Sequence, residues 1–350
     1  MKKNTKLAVA AGVVLAAALA GVGLWQNTMR AQHTSATYAM STTITQMAYG
    51  PKADAVMEEV NQAFAAFENR LSLFKENSEI AAVNAGAGIA PVKVSDETFA
   101  LLQRSLELSA SSDGAFDITI APLTLLWGIT TDTPKVPTQA EIDAVLPLID
   151  DASVQLDAAN KTVYLPRKGM AIDLGGIAKG NACTIAQQIY EKDGLKSAVL
   201  NIGGNVYIRG RKPDGSRFRV GFRSPEKDAT TYIASIEMED QVMAVSGAYE
   251  RYFIENGVKY HHILSSATGY PADSDVVSVG VVCADGTRAD FLSTTLFVWG
   301  VDKTTQFMRD NTDVAVLLLT DDGRLLVSSS LKDSFKINEE LGSGYEVVFI

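Results

Sequence analysis

The 350-residue chain has few cysteines and histidines: two Cys, at positions 183 and 283, and three His. Two cysteines exclude a disulfide framework and a cysteine-rich metal site. We expect Cys183 and Cys283 to be buried thiols rather than a disulfide, although export would permit pairing. The chain also has no surplus of basic residues, since 31 Lys and Arg stand against 41 Asp and Glu. The resulting charge of −10 argues against nucleic acid or an anionic membrane surface as the main partner.

Disordered and fibrous classes are also excluded by composition. The chain has 10 Pro and 27 Gly, with 47% hydrophobic and 21% charged residues. These proportions are those of a globular protein that buries a sizeable core. The length allows one large domain or two.

The first 30 residues have the pattern of an export signal. Three lysines within the first six residues precede an apolar stretch over 7–25, and residues 18–20 read Ala-Leu-Ala, a small-x-small cleavage site. The stretch is also just long enough to span a bilayer. We therefore expect 1–30 to be a cleaved signal peptide or an uncleaved membrane anchor. The protein is then expected to be exported, to the periplasm or the extracytoplasmic face of the cytoplasmic membrane.

The rest of the chain, residues 35–350, alternates predicted strands and helices without an internal repeat or a Pro/Gly/Ser-rich linker. Periodicity predicts strands at 37–48, 154–156, 162–165, 198–202, 206–209, 232–238, 242–245, 276–282, 314–319 and 325–328. It predicts helices at 56–74, 95–108, 176–192 and 288–309, and another after the capping box of Thr138 and Glu141. Strands outnumber helices and many are joined by short turns. The fold class expected is α+β, a single compact domain with a mixed, largely antiparallel sheet.

A glycine-containing turn over 171–180 is the first candidate site. It reads Ala-Ile-Asp-Leu-Gly-Gly-Ile-Ala-Lys-Gly and leads from a strand into a helix. Backbone amides at such a helix start can approach an anion, and Lys179 adds a positive charge. The glycine spacing fits neither a P-loop nor a dinucleotide fingerprint. Taken alone, a purely structural turn is at least as compatible with these residues.

The second candidate site is a pair of oxygen-bearing side chains, Asp290 and Thr294. At the start of a helix they lie one turn apart on one face, where both can reach a hard cation such as Mg²⁺. The alternative is an acid favoured by the helix dipole and a solvent-facing threonine. Without further information that alternative is preferred.

Two further segments contain titratable or aromatic side chains. His261 and His262 are adjacent on a strand, so they point to opposite faces and do not suit a shared metal. One of them can be a general base, or both are ordinary strand residues. The segment 113–122 places the Asp117 carboxylate beside Phe116. An ordinary helix end followed by a turn accounts for the same residues equally well.

The order of these short motifs resembles the ApbE family of FAD:protein FMN transferases, from about Met40 to the end of the chain. The set comprises Met40-Ser-Thr, Ser78-Glu-Ile, Val83-Asn84, Gly114-Ala-Phe-Asp-Ile-Thr, Ile172-Asp-Leu-Gly-Gly-Ile-Ala-Lys-Gly180, Asn201-Ile-Gly-Gly204, Ser246-Gly247, His262-Ile263, Thr268-Gly-Tyr-Pro271, and Asp290 with Thr294. Chance assembly of so many motifs in one order is improbable. The resemblance implies an ApbE-like flavin transferase domain over 35–350.

The activity implied by this resemblance is Mg²⁺-dependent transfer of FMN from FAD to a Thr or Ser hydroxyl of an acceptor protein, with release of AMP. The implied partners are FAD and exported redox or electron-transfer proteins with FMN-binding domains. The implied FAD contacts are Met40, Phe74, Ala115, Phe116, Asp117, Asp173, Lys179 and Leu264. The implied metal ligands are Gly176 through its carbonyl, Asp290 and Thr294, with Ser293 where some members have a further acidic ligand. His262 is the candidate catalytic base.

Three departures from the family pattern bear on this prediction. Ser41 stands where Gly is common, Phe74 where Tyr is common, and Ser265-Ser266 where Asp-Pro is usual. The last of these keeps two alternatives open. One is an FAD pyrophosphatase that releases FMN and AMP, and the other is a periplasmic FAD-binding protein without turnover.

Overall fold

The computed structural model describes residues 28–225 and 231–350. The predicted signal or anchor segment therefore lies, except for its last three residues, outside the described residues. Within the described ranges, no helix is long and apolar enough to cross a membrane.

Seventeen strands and seven α-helices form the described part of the chain. The strands are β1 Gln32–Ala39, β2 Thr42–Tyr49, β3 Val92–Lys93, β4 Gln155–Asp157, β5 Thr162–Tyr164, β6 Ser197–Ile202, β7 Asn205–Gly210, β8 Phe218–Arg223, β9 Tyr232–Met238, β10 Gln241–Gly247, β11 Tyr252–Glu255, β12 Val258–His261, β13 Val276–Cys283, β14 Ala315–Thr320, β15 Arg324–Val327, β16 Phe335–Ile337 and β17 Glu346–Phe349. The helices are α1 Ala53–Leu71, α2 Glu79–Ala85, α3 Asp96–Ser109, α4 Ala121–Trp127, α5 Gln139–Val145, α6 Ala178–Lys192 and α7 Gly286–Asp310.

A nine-stranded sheet dominates the fold, in the order β1-β2-β6-β7-β10-β13-β14-β15-β17. Its neighbouring strands are antiparallel except β15 and β17, which are parallel. Three smaller sheets have the orders β11-β12, β16-β9-β8 and β3-β5-β4. The predicted α+β class with a largely antiparallel sheet is confirmed.

The two faces of the large sheet are covered differently. Helices α1, α6 and α7 pack on one face, the helix face, through buried side chains such as Phe64, Ala186 and Leu296. The small sheet β16-β9-β8 packs on the other, the second-sheet face, where Phe222 and Ile236 are buried. Burial of apolar surface on both faces gives the sheet two separate cores.

The helix starts follow the capping chemistry expected from the sequence. The Ser95 side chain accepts a hydrogen bond from the Thr98 amide at the start of α3. At the start of α5, Thr138 and Glu141 form the complete capping box. The starts predicted for these two helices lie within about one residue of the observed starts. Cys183 and Cys283 are both free and buried, as expected.

Three of the predicted elements differ in shape or extent from the structure. The region 37–48 is a hairpin rather than one strand, because Met40 and Ser41 form its two-residue turn with φ of 52° and 56°. Such left-handed backbone usually carries Gly or Asn, so the turn was not visible in the sequence. Helix α1 ends at Leu71, and Phe74 lies in the following turn. The long C-terminal helix is broken at Gly300, with φ of 79°.

Candidate functional site

A cleft of about 740 Å³ opens at one end of the large sheet. Its walls come from the turns after β1 and β6, the end of β10, the glycine turn before α6 and the segment after β12. The predicted site residues that line it are Met40, Phe74, Ala115, Phe116, Asp117, Asp173, Gly176, Lys179, His262, Leu264 and Thr294. Residues far apart in the sequence therefore share one cavity.

Asp290 and Ser293, the remaining predicted site residues, lie behind the cleft wall. Asp290 is 2% exposed, and its Oδ2 accepts a hydrogen bond of 2.8 Å from the Gly180 amide. Its Oδ1 lies 3.9 Å from Lys179 Nζ. A Cβ on Gly180 would lie 2.1 Å from the Gly286 carbonyl oxygen, so glycine is needed for the close approach of α6 and α7. The close approach of α6 and α7 brings the Asp290 carboxylate to the glycine turn over 171–180.

The hydroxyl of Ser293 is fully buried and committed to neighbouring protein atoms. It donates to the Asp290 carbonyl at 2.8 Å and lies 2.9 Å from Ser246 Oγ. Because Ser293 has a single hydroxyl hydrogen, Ser246 is the donor in the second bond. Ser246 lines the cleft, and its hydroxyl hydrogen is used in this bond. The predicted ligand position of Ser293 thus orients a cleft hydroxyl in this structure.

Gly176 and Thr294 meet at the cleft floor, where a Cβ on Gly176 would lie 3.4 Å from Thr294 Oγ1. The described residues contain no group of three or more His, Cys, Asp or Glu that could bind a metal. The predicted oxygen ligands are the Asp290 carboxylate, behind the cleft wall, and the Thr294 hydroxyl and Gly176 carbonyl of two residues that line the cleft. Such a partial set suits Mg²⁺, which prefers oxygen and completes its shell with water and substrate phosphates.

His262 lines the cleft, and the Arg251 carbonyl fixes the orientation of its ring. Both its amide and its Nδ1 lie close to the Arg251 carbonyl, at 3.1 Å and 3.2 Å. A carbonyl only accepts, so Nδ1 carries the hydrogen and Nε2 is left with its lone pair. Burial, with the positive charges of Lys179 and Arg251, lowers the pKa of His262 to about 3. The ring is therefore neutral at physiological pH, with Nε2 unprotonated.

His261 points away from this cleft, as the alternation along a strand predicts. Its Nε2 lies 3.2 Å from the Ala272 carbonyl, and its Nδ1 accepts from the Ile263 amide. Both ring nitrogens are thus used within the protein. Of the two adjacent histidines, only His262 has a nitrogen available for chemistry in the cleft.

The carboxylates of Asp173 and Asp117 are shaped by local backbone contacts. Asp173 accepts from the Gly175 amide at 2.8 Å and from Thr124 Oγ1 at 2.9 Å. Asp117 accepts from the amide and hydroxyl of Thr119 and from the Asp151 amide. These bonds fix the shape of the wall on the helix face of the cleft.

Asp151, beside Asp117, gives the first testable prediction. Burial, reinforced by the Asp117 charge, raises the pKa of Asp151 to about 6. A raised carboxyl pKa means that the folded state binds more protons than the unfolded state between about pH 4 and 6. The Asp151 contribution to stability is therefore lost as pH rises through this window. We expect Asp151→Asn to be more stable than the wild type at pH 7.5, by about 1 kcal/mol.

Urea unfolding at pH 4 and pH 7.5 measures this effect, with the exposed Asp132→Asn as the matched control. The two variants and the wild type should have similar stability at pH 4. An equal gain from Asp132→Asn, or no gain from Asp151→Asn at pH 7.5, would contradict the assignment.

Arg251, which no motif indicated, contributes to the site twice. Its carbonyl orients His262, and its guanidinium donates to the Ser41 carbonyl at 3.0 Å. This second bond ties the β1–β2 turn to the segment before β11. No sequence signal marked Arg251, because its role depends on contacts between segments far apart in the chain.

The unusual Ser265-Ser266 pair supports the loop after β12. Ser265 Oγ accepts from the amides of Ala267 and Thr268, and Ser266 Oγ donates to the Gly114 carbonyl. An aspartate at position 265 can make the same kind of turn. The serine substitution therefore preserves the loop that follows His262.

Comparisons with known proteins agree with this geometry. The sequence matches the ApbE family over residues 40–318. It is 34% identical to a FAD:protein FMN transferase of Klebsiella pneumoniae over 84% of this chain and 90% of the relative. It is 35% identical to one of Treponema pallidum over 81% of this chain and 82% of that relative.

Solved structures give the same result. The ApbE protein of Thermotoga maritima superposes with a TM-score of 0.80 at 32% identity, covering 87% of this chain and 99% of that one. The flavin transferase ApbE of Vibrio cholerae gives 0.78 at 26% identity with the same coverage. The chain belongs to the ApbE family and is a transferase.

Proposed function

We propose that this chain transfers FMN from FAD to a Thr or Ser hydroxyl of an acceptor protein and releases AMP. The observation that carries the proposal is the free Nε2 of His262, which faces the same cleft as Lys179 and Thr294. The names of the curated relatives supply the substrate class, FAD, and the protein acceptor.

The proposed reaction is a phosphoryl-type substitution at the FMN phosphorus. The acceptor hydroxyl oxygen forms the new bond to that phosphorus, and the bond to the bridging oxygen breaks. AMP leaves with the bridging oxygen, and the hydroxyl proton moves to His262 Nε2. Fixing both reactants in one cleft reduces the entropic part of the barrier.

Asp290, Thr294 and the Gly176 carbonyl are the residues that would bind Mg²⁺. When bound, the cation supplies positive charge that stabilises the pyrophosphate oxygens during transfer. Lys179 lies beside Asp290 and is placed to neutralise phosphate charge. An acidic chain with a formal charge of −10 needs such positive groups to bind an anionic dinucleotide.

The direct test incubates the protein with FAD, Mg²⁺ and the protein substrate of the Klebsiella pneumoniae relative. Covalently fluorescent substrate protein with equimolar AMP supports the proposal. Free FMN and AMP without labelled protein would instead indicate a pyrophosphatase, and unchanged bound FAD would indicate a binding protein.

A second prediction concerns Phe74, which is 55% exposed at the cleft mouth. An aromatic ring in this position offers a stacking face to the flavin. We expect Phe74→Ala to weaken FAD binding about fivefold, since stacking contributes about 1 kcal/mol. Fluorescence titration of FAD measures it. Phe74→Tyr should retain affinity, and Tyr38→Ala, an exposed aromatic outside the cleft, should have no effect.

We also propose that residues 35–350 form the catalytic domain and that residues 1–30 direct export to the extracytoplasmic side. Mass spectrometry of the native N-terminus distinguishes a cleaved signal from an anchor. A chain beginning at residue 31 should bind FAD with unchanged affinity, and loss of binding would contradict the domain boundary.

A further inference from the structure

The cleft extends beyond the residues assigned to FAD and Mg²⁺. On the helix face it is lined by Phe116 and Leu174, which belong to the helix-side core. It continues around the end of the large sheet to Val206 and Met243, which belong to the core of the opposite face. The cleft therefore has two arms that meet at the sheet end.

The part on the second-sheet face is here called the far arm. Its lining residues are Gly204, Val206, Gly221, Arg223, Met243 and Val245. None of them is among the residues that the family resemblance assigns to FAD or metal. Ser246, which follows Val245 directly on β10, lines the same cleft as Arg251 and the proposed base His262.

We propose that the far arm binds an extended segment of the acceptor protein and delivers its hydroxyl to His262. This inference rests on the proposed function, because a transferase with a protein acceptor must admit both FAD and a polypeptide to one phosphorus. The helix-face arm contains the residues assigned to FAD. The far arm is a part of the same cavity, on the opposite face of the sheet, to which no FAD contact is assigned.

The edge of the small sheet supports a polypeptide ligand. Within the described residues, β8 has a hydrogen-bonded neighbour, β9, on one side only, and its residues Gly221 and Arg223 line the far arm. An unpaired strand edge binds an extended peptide through main-chain hydrogen bonds. Gly221 itself is exposed, and a Cβ there would lie 3.0 Å from the Tyr232 side chain.

The walls of the far arm combine apolar and charged groups suited to a peptide. Val206, Met243 and Val245 supply an apolar wall. On the polar side, Arg223 and Glu250 form an ion pair of 3.0 Å that joins β8 to the segment after β10. A guanidinium and a carboxylate together offer donors and acceptors to main-chain amide groups.

The test introduces bulk into the far arm with Val206→Phe. The matched control is Val199→Phe, which is also packed on the second-sheet core but does not line the cleft. With the protein substrate of the Klebsiella pneumoniae relative, Val206→Phe should raise the acceptor KM at least tenfold. The FAD dissociation constant should stay within twofold, and the control should change neither value.

A footprint provides a second measurement that does not depend on turnover. The native cysteines are buried, so Val206→Cys introduces a thiol that a maleimide can label selectively. The same substrate protein should slow labelling, and FAD alone should not. If the wild type transfers FMN but Val206→Phe leaves the acceptor KM unchanged and the substrate protein does not slow labelling of Val206→Cys, the far-arm assignment alone is overturned. Slower labelling without FMN transfer would support the far arm and overturn the proposed function. Absence of both slower labelling and transfer would overturn both proposals.

Discussion

His262→Ala is expected to reduce FMN transfer by about a hundredfold to ten-thousandfold, the range for loss of a general base. The residue is held by the Arg251 carbonyl with Nε2 free in the cleft, so removal of the ring removes the proton acceptor. FAD affinity should change little. Rates of acceptor labelling and FAD titration together measure the effect on turnover and on binding.

The other two histidines are matched controls for this variant. His261→Gln keeps a donor for the Ala272 carbonyl, and His33→Ala removes a surface ring that lies 2.9 Å from Asp54. Both should transfer FMN at close to the wild-type rate. If His262→Ala transfers as fast as these controls, another group accepts the proton.

The low pKa of His262 also predicts the pH behaviour of the wild type. Because the folded pKa of about 3 lies below the ordinary value of 6.5, this ring stays neutral from pH 5 to pH 8. Its protonation should therefore not reduce kcat/KM of the free enzyme in that range. The unfolded state binds the proton more readily, so this group lowers stability as pH falls below 6.5. His262→Ala should remove that part of the acid sensitivity.

Asp290→Asn is expected to reduce Mg²⁺-dependent transfer by about a thousandfold. The carboxylate is the single acidic side chain among the proposed metal ligands, and its charge is what an amide cannot replace. Asparagine keeps an oxygen for the Gly180 amide, which donates to Asp290 at 2.8 Å. The fold should therefore survive, and thermal unfolding without metal should stay close to that of the wild type.

Metal binding can be measured separately from turnover with Mn²⁺ as a paramagnetic probe in the presence of FAD. Asp290→Asn should lose most of the bound Mn²⁺ signal, and Thr294→Val should lose less because it removes a neutral ligand. Asp285→Asn, at the N-cap of the same helix, is the control with an acid outside the site. Wild-type Mn²⁺ affinity in Asp290→Asn would exclude this carboxylate as a ligand.

Local sequence signals determined much of the secondary structure. The capping residues Ser95 and Thr138 marked helix starts that the structure confirms. The spacing of Asp290 and Thr294 placed two oxygens one turn apart on α7. Alternation along a predicted strand separated the directions of His261, the last residue of β12, and His262, which directly follows it. Each of these inferences depends on the periodicity or capping of a single element, which the sequence contains directly.

Features that join distant segments were decided only by the tertiary structure. The turn at Met40 and Ser41 has left-handed backbone without glycine, and the Arg251 guanidinium, 210 residues away from Ser41, bonds to it. Likewise, Ser293 contacts Ser246 because α7 packs on β10. Neither the orientation of His262 by Arg251 nor the far arm on the second-sheet face follows from any local pattern. These features depend on how nine strands pair in register and on which element covers each face, and packing across the whole sheet sets both.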